Sequence, residues 1–189
     1  MAQQFLINHV NITIMKKKLK LVILILGGLL PTSLMAQKTQ KLNNSVKITL
    51  KDTVQPMEHA AVKKFAQQNK IEYLSSYEGV EDRAICIVDG MILTSVKLNT
   101  VKKKDLELLK KSIDALAKSV NVTTLNSRIV TDHGYKILII ENSSENRIKY
   151  DAVDSSGMSS VSGVIEFNSS KRSDAKALLD SIIKTISFD

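Results

Sequence analysis

The chain has 189 residues, with 27 Lys+Arg against 19 Asp+Glu, one cysteine and no tryptophan. A single cysteine excludes an internal disulfide, so the fold must stand on its apolar core. The formal charge of +8 invites a nucleic-acid reading, but its distribution along the chain removes most of that argument.

Met15 is followed by Lys16, Lys17, Lys18 and Lys20, then by an unbroken apolar run, Leu21–Leu30, broken by Pro31, Thr32 and Ser33. A positive start, a short apolar stretch and a small residue at Ala36 make a signal peptide over residues 15–36, with cleavage expected between Ala36 and Gln37. The run is too short to span a membrane, which takes roughly 20 apolar residues. An uncleaved anchor is the alternative, but the expectation is no stable span after cleavage. Residues 1–14 precede the charged start, so Met15 is expected to be the true first residue. The bare signal points to a bacterium, and the destination to the periplasm or the medium.

Beyond this 1–36 segment stand 153 residues, enough for one domain with a real core. Removing the four signal lysines leaves 23 Lys+Arg against 19 Asp+Glu, a net charge of +4. That balance is too mixed in sign to imply nucleic acid. Residues 37–45 are polar and expected to be a flexible mature N-terminus, ahead of a single domain over 46–189.

Val46–Lys51 alternates apolar and polar, a half-buried strand. Pro56 suits the first turn of a helix, in which Met57, Ala61 and Phe65 recur at helical spacing. Ile71–Tyr77 reads as a further short strand, and residues 78–83 as a loop. Arg83–Val88 and Met91–Leu98 flank Asp89-Gly90, a strong hairpin signal. Cys86 lies inside that apolar run and reads as a buried small hydrophobe.

Lys102–Ser119 is the clearest helix, with Leu106, Leu109, Ile113, Leu116 and Val120 on one stripe. Thr100 is its expected cap. The Lys102–Lys104 trio opposes the positive helix end and reads as a solvated face, an anion or acidic-partner site being the alternative. Four strands follow: Val122–Thr131, Tyr135–Glu141, Arg147–Val153 and Met158–Phe167. The second is apolar on both faces and needs cover on both sides. Ala175, Leu178, Leu179, Ile182 and Ile183 then mark a closing amphipathic helix.

Short turns between consecutive strands require antiparallel pairing. The expected fold is therefore α+β, an antiparallel β-sheet meander sandwiched between helices, an α/β/α sandwich.

MILTSVKLN, the long helix, NVTTLNSRIV, YKILIIE, the strand ending GVIEF and the closing SDAKALLDSIIKTISF together resemble the PsbP/MOG-type superfamily of α/β/α sandwiches. The resemblance covers residues 91–188, and residues 46–90 match less well. It implies a non-enzymatic binding or assembly scaffold. Members serve as extrinsic photosystem subunits, partners of small GTPases or exported proteins, so the shared fold carries no one function.

No zinc-ligand spacing links His59, His133 and Cys86. There is no nucleophile elbow, phosphate loop, dinucleotide fingerprint or zincin motif. No catalytic, metal or cofactor residue is therefore assigned. Asp132-His133 offers at most part of a hydrolytic site and reads as a turn. The acids Glu72, Glu78, Glu81 and Asp82 lack the ordered spacing of a calcium loop. The Tyr73–Arg83 stretch remains as the expected contact surface, through Tyr73, Tyr77, Glu81, Asp82 and Arg83. The first functional reading is a binding or assembly protein acting on an exported or periplasmic partner. A carrier of a small apolar ligand is the alternative, and a small hydrolase the less favoured one.

Overall fold

A computed structural model describes residues 37–188, apart from 42–45, 52–54, 75–76, 81–82 and 100–101. The signal segment, Thr100, Glu81 and Asp82 lie outside the described residues.

Among the described residues, ten strands and three α-helices follow one another. Strands β1 (Gln37–Lys41), β2 (Val46–Lys51) and β3 (Gln55–Pro56) precede helix α1 (His59–Gln68). The hairpin of β4 (Arg83–Val88) and β5 (Met91–Asn99) leads to helix α2 (Leu106–Ser119). The meander β6 (Leu125–Asp132), β7 (Tyr135–Asn142), β8 (Arg147–Val153) and β9 (Ser159–Glu166) leads to helix α3 (Arg172–Thr185) and strand β10 (Ser187–Phe188).

The strands form a seven-stranded sheet, ordered β3-β4-β5-β9-β8-β7-β6, and a three-stranded sheet, ordered β1-β2-β10. Every pairing is antiparallel. Both expected hairpin turns are present. Asp89-Gly90 and His133-Gly134 each hold two successive positive φ values, the tight turn whose twist matches the flanking strands.

The large sheet is covered on both faces, as the apolar Tyr135–Glu141 run demands. On one face Ile137, Ile139, Tyr150, Ile165 and Phe167 pack with Leu178, Leu179 and Ile182 of α3. On the other, Leu138 and Val153 pack with Leu106 of α2, and Ile85 and Ile92 with Val62 and Ala66 of α1. The α+β sandwich read from the sequence is the observed architecture.

Five local expectations are corrected. Residues 37–41, expected to be loose, form β1, because β2 offers an edge whose backbone groups need partners. Pro56 sits not in a helix but in β3, opposite Cys86 at the sheet edge, where its missing N–H costs nothing. Ile71–Leu74 is irregular rather than a strand, since Ile71 turns into the core beside Val62 and Ala66. The α2 stripe is covered only in part: Leu106 is buried and Leu109 and Ile113 pack half-buried beside it, while Leu116 and Val120 are 65% and 59% exposed. Helix α2 also begins later than expected, at Leu106, capped by Asp105, whose carboxylate accepts from the N–H groups of Glu107 and Leu108 at 3.0 and 3.1 Å.

One contact fixes the middle of the sheet. Gly163 stands between Ser95 on β5 and Tyr150 on β8. A Cβ there would lie 2.2 Å from Tyr150 Cζ, so the phenol ring lies directly over the glycine. Its hydroxyl thereby reaches Ser95 Oγ at 2.8 Å, an aromatic side chain covering a strand glycine.

Candidate functional site

Helices α1 and α2 cover the two ends of one sheet face and leave its middle to β8 and β9. Pairing places Asp151 opposite Ser162, Lys149 opposite Val164 and Arg147 opposite Glu166. Alternation puts these six on the face that carries Leu138, since Leu138 pairs with Asp151. The middle of this face is therefore polar, between two apolar helix footprints.

A strap, described at residues 69–74 and 77–80, lies over part of this floor. It begins where α1 ends. Asn69 Nδ2 donates to the Phe65 carbonyl at 2.9 Å, and Ile71 N–H to Ala66 O at 2.9 Å. Lys70 between them is left-handed, at φ 55, as a helix terminus requires. Asn168 Nδ2 then donates to Asn69 O at 3.2 Å, tying this end to the segment after β9.

Farther along, Leu74 N–H donates to Glu166 Oε1 at 3.0 Å. Glu166 is fully buried, and its Oε2 has no hydrogen-bond partner among the described residues. Burial raises its pKa above the ordinary glutamate range, the Leu74 N–H and the Arg147 and Lys149 charges pull it back, and Glu72 adds to the rise. Tyr77, at φ 62, bonds through its hydroxyl to Ser162, and burial followed by the Asp151 charge raises its pKa. Ser162 in turn donates to Asp151. Lys104 completes the cluster, its Nζ 2.6 Å from Asp151 Oδ1.

The strap's second anchor to α1 is His59. Tyr73 Oη lies 3.4 Å from His59 Nδ1, and Glu78 Oε1 3.0 Å from His59 Nε2. Tyr73 and Tyr77 are thus half-buried and turned back onto the body of the protein. Among the described residues of the strap, the side chains left facing water are Lys70, Glu72, Leu74 and Glu78, and Leu74 is 46% exposed. Leu74 was not singled out from the sequence, because in Ile-Glu-Tyr-Leu it reads as one more apolar strand residue. Arg83, at the start of β4, keeps its Nη1 buried without a hydrogen-bond partner among the described residues.

The remaining chemistry-bearing residues stand apart from this strap. Asp132 Oδ1 is 2.9 Å from His133 Nδ1, a contact between chain neighbours on the exposed β6–β7 turn. Cys86 is buried, its thiol donates to Leu93 O at 3.7 Å, and burial pushes its pKa up to about 12. At neutral pH it stays a thiol and no nucleophile. Among the described residues no group of three or more His, Cys, Asp or Glu is arranged to hold a metal ion. None of their helices is long and apolar enough to cross a membrane.

Among the described residues, open clefts flank the core. One, of about 570 Å³, lies between β2 and α3 and is lined by Leu50 and Val88 but also by Asp174, Asp180 and Lys184. Another, of about 750 Å³, lies at the start of α2, among Lys103, Lys104, Glu107, Lys136 and Asp154. Both clefts carry charged side chains in their walls. The Lys102–Lys104 trio is also divided. Lys104 is paired with Asp151, and Asp105 already occupies the helix N-terminus that an anion would need.

No family model matches this chain, and no curated protein matches it. A solved structure similar to it in fold is the solution structure of cyanobacterial PsbP (CyanoP) from Synechocystis sp. PCC 6803. The match has a TM-score of 0.47 and 9% identity, over 84% of this chain and 96% of that one. The likeness is one of fold alone.

Proposed function

We propose that the protein is exported and acts without catalysis, as a binding or assembly protein whose contact surface is the outward side of the strap. The export half rests on the sequence of residues 15–36. The binding half is carried by one observation. The strap turns its two tyrosines inward as anchors and leaves Leu74, 46% exposed, between the acids Glu72 and Glu78. A large apolar side chain flanked by carboxylates fits a protein surface that offers an apolar recess rimmed by Lys or Arg.

A photo-crosslinking residue in place of Leu74, in the producing cell, tests this. The expected result is one dominant protein adduct in the exported fraction, lost when Glu72 and Glu78 are replaced by lysine. Absence of an adduct, together with substrate turnover by the purified protein, would overturn the reading. Export itself is tested by the N-terminus of the mature protein, expected at Gln37.

A further inference from the structure

The molecule treats its sheet edges unequally. In the small sheet one edge is β1, which carries two lysines, and the other is β10, of two residues. In the large sheet one edge is β3, two residues long and ending in Pro56. Short length, lysines and proline are the usual means of keeping an edge from pairing with another chain. The other edge of the large sheet, β6, has none of them. It is eight residues long, reads LNSRIVTD, and among the described residues pairs on one side only, with β7. Its outer side therefore offers a row of backbone donors and acceptors.

We infer that β6 pairs antiparallel with β6 of a second copy of this chain, about a two-fold axis at Val130. The faces and the charges choose that register. Opposed residues in such a pair must point to the same side, so the centre must fall on a residue rather than between two. Centring on Arg128 sets two arginines against each other. Centring on Ile129 sets Arg128 against Val130 and Asp132 against Asn126. Centring on Val130 sets Arg128 against Asp132 twice, once on each side of the axis, with Val130 against itself and Ile129 against Thr131. Both charged side chains are available, Arg128 being 42% and Asp132 32% exposed. Arg128 already bonds to Glu141 through Nη1, and a guanidinium keeps further donors for a second carboxylate. The paired stretch is short against the roughly 1,000 Å² that a stable interface buries, so the association is concentration-dependent.

Sedimentation equilibrium of the protein as isolated from cells expressing the full chain tests this. The expected result is a monomer–dimer equilibrium, with dissociation on the order of tenfold stronger for Asp132→Arg, since cross-strand charge pairs give way to repulsion at both ends. In a Cys86→Ala background, Val130→Cys is expected to give a disulfide-linked dimer on mild oxidation, and Ile129→Cys is not. A protein that stays monomeric to about millimolar concentration, well above the range of weak specific association, overturns the inference. So does a dimer indifferent to Asp132→Arg, or one crosslinked through position 129 rather than 130.

Discussion

Replacing Gly163 by alanine isolates the contact at the middle of the sheet. In an ordinary strand this change is mildly favourable, by about 0.5–1 kcal/mol, because glycine loses more backbone freedom on folding. Gly163 has no positive φ to excuse it. The added methyl would stand 2.2 Å from Tyr150 Cζ and 2.4 Å from both Cε1 and Oη. Tyr150 is fully buried and has nowhere to retreat. Overpacking of that kind costs about 1–3 kcal/mol. Displacing the ring also breaks the bond to Ser95 and strands two buried hydroxyls, for about 1–3 kcal/mol more. The expected net loss is about 3 kcal/mol, or roughly 8 °C in Tm for a domain of this size. Calorimetry measures it, and a double-mutant cycle assigns it. In a Tyr150→Leu background the same Gly163→Ala step should be close to neutral, because the ring it meets is gone. A Gly163→Ala loss below about 1 kcal/mol, or an equal loss in both backgrounds, would refute the packing argument.

Three further outcomes follow from other sites. Glu166 has a raised pKa in the fold, so the native state holds its proton longer than the unfolded chain and stability falls as pH rises through the glutamate range. Glu166→Gln should therefore be more stable than the parent at about pH 7 and nearly equal to it at about pH 4, read from urea midpoints; a gain that is the same at both pH values would contradict the assignment. Asp105→Ala should cost about 1 kcal/mol in chemical denaturation through loss of two N-terminal bonds of α2, whereas Thr131→Ala, at an exposed position of β6, should cost less than about 0.5 kcal/mol. Cys86 should resist a thiol reagent at pH 8 in the folded protein and react on unfolding; prompt labelling of the native protein would show that the thiol is neither buried nor raised.

Much of the fold was legible because its signals are local. Asp89-Gly90 and His133-Gly134 carry their turn conformation in two residues, and Leu178, Leu179 and Ile182 repeat at helical spacing whatever they pack against. The alternation along Arg147–Val153 is equally local: Ile148, Tyr150 and Ala152, two apart, are all fully buried. What escaped depends on distant partners. Gln37–Lys41 has no apolar alternation and is a strand only because β2 lies beside it. Asp105 was eclipsed as a cap by the lysines before it, although Asp followed by Leu-Glu-Leu-Leu is a fair start signal. In the strap, the orientation of the side chains is not legible in the sequence. That Tyr73 and Tyr77 turn inward depends on His59 and Ser162, the second of them 85 residues farther along the chain than Tyr77. Only the fold brings them together.

The order of the large sheet also bears on the timing of folding. Strand β9 is the last of its seven strands to be synthesised, yet it stands between the β4–β5 hairpin and the β6–β8 meander. Its eight pairings with β5 run from Ile92–Glu166 to Asn99–Ser159, each closing a loop of 60 residues or more. Until Glu166 has been made, the chain holds two partial sheets with no shared strand. Loop closure over such separations is slow, so the sheet cannot be completed early in synthesis. A nascent chain with this topology cannot close its large sheet until nearly its whole length has been made.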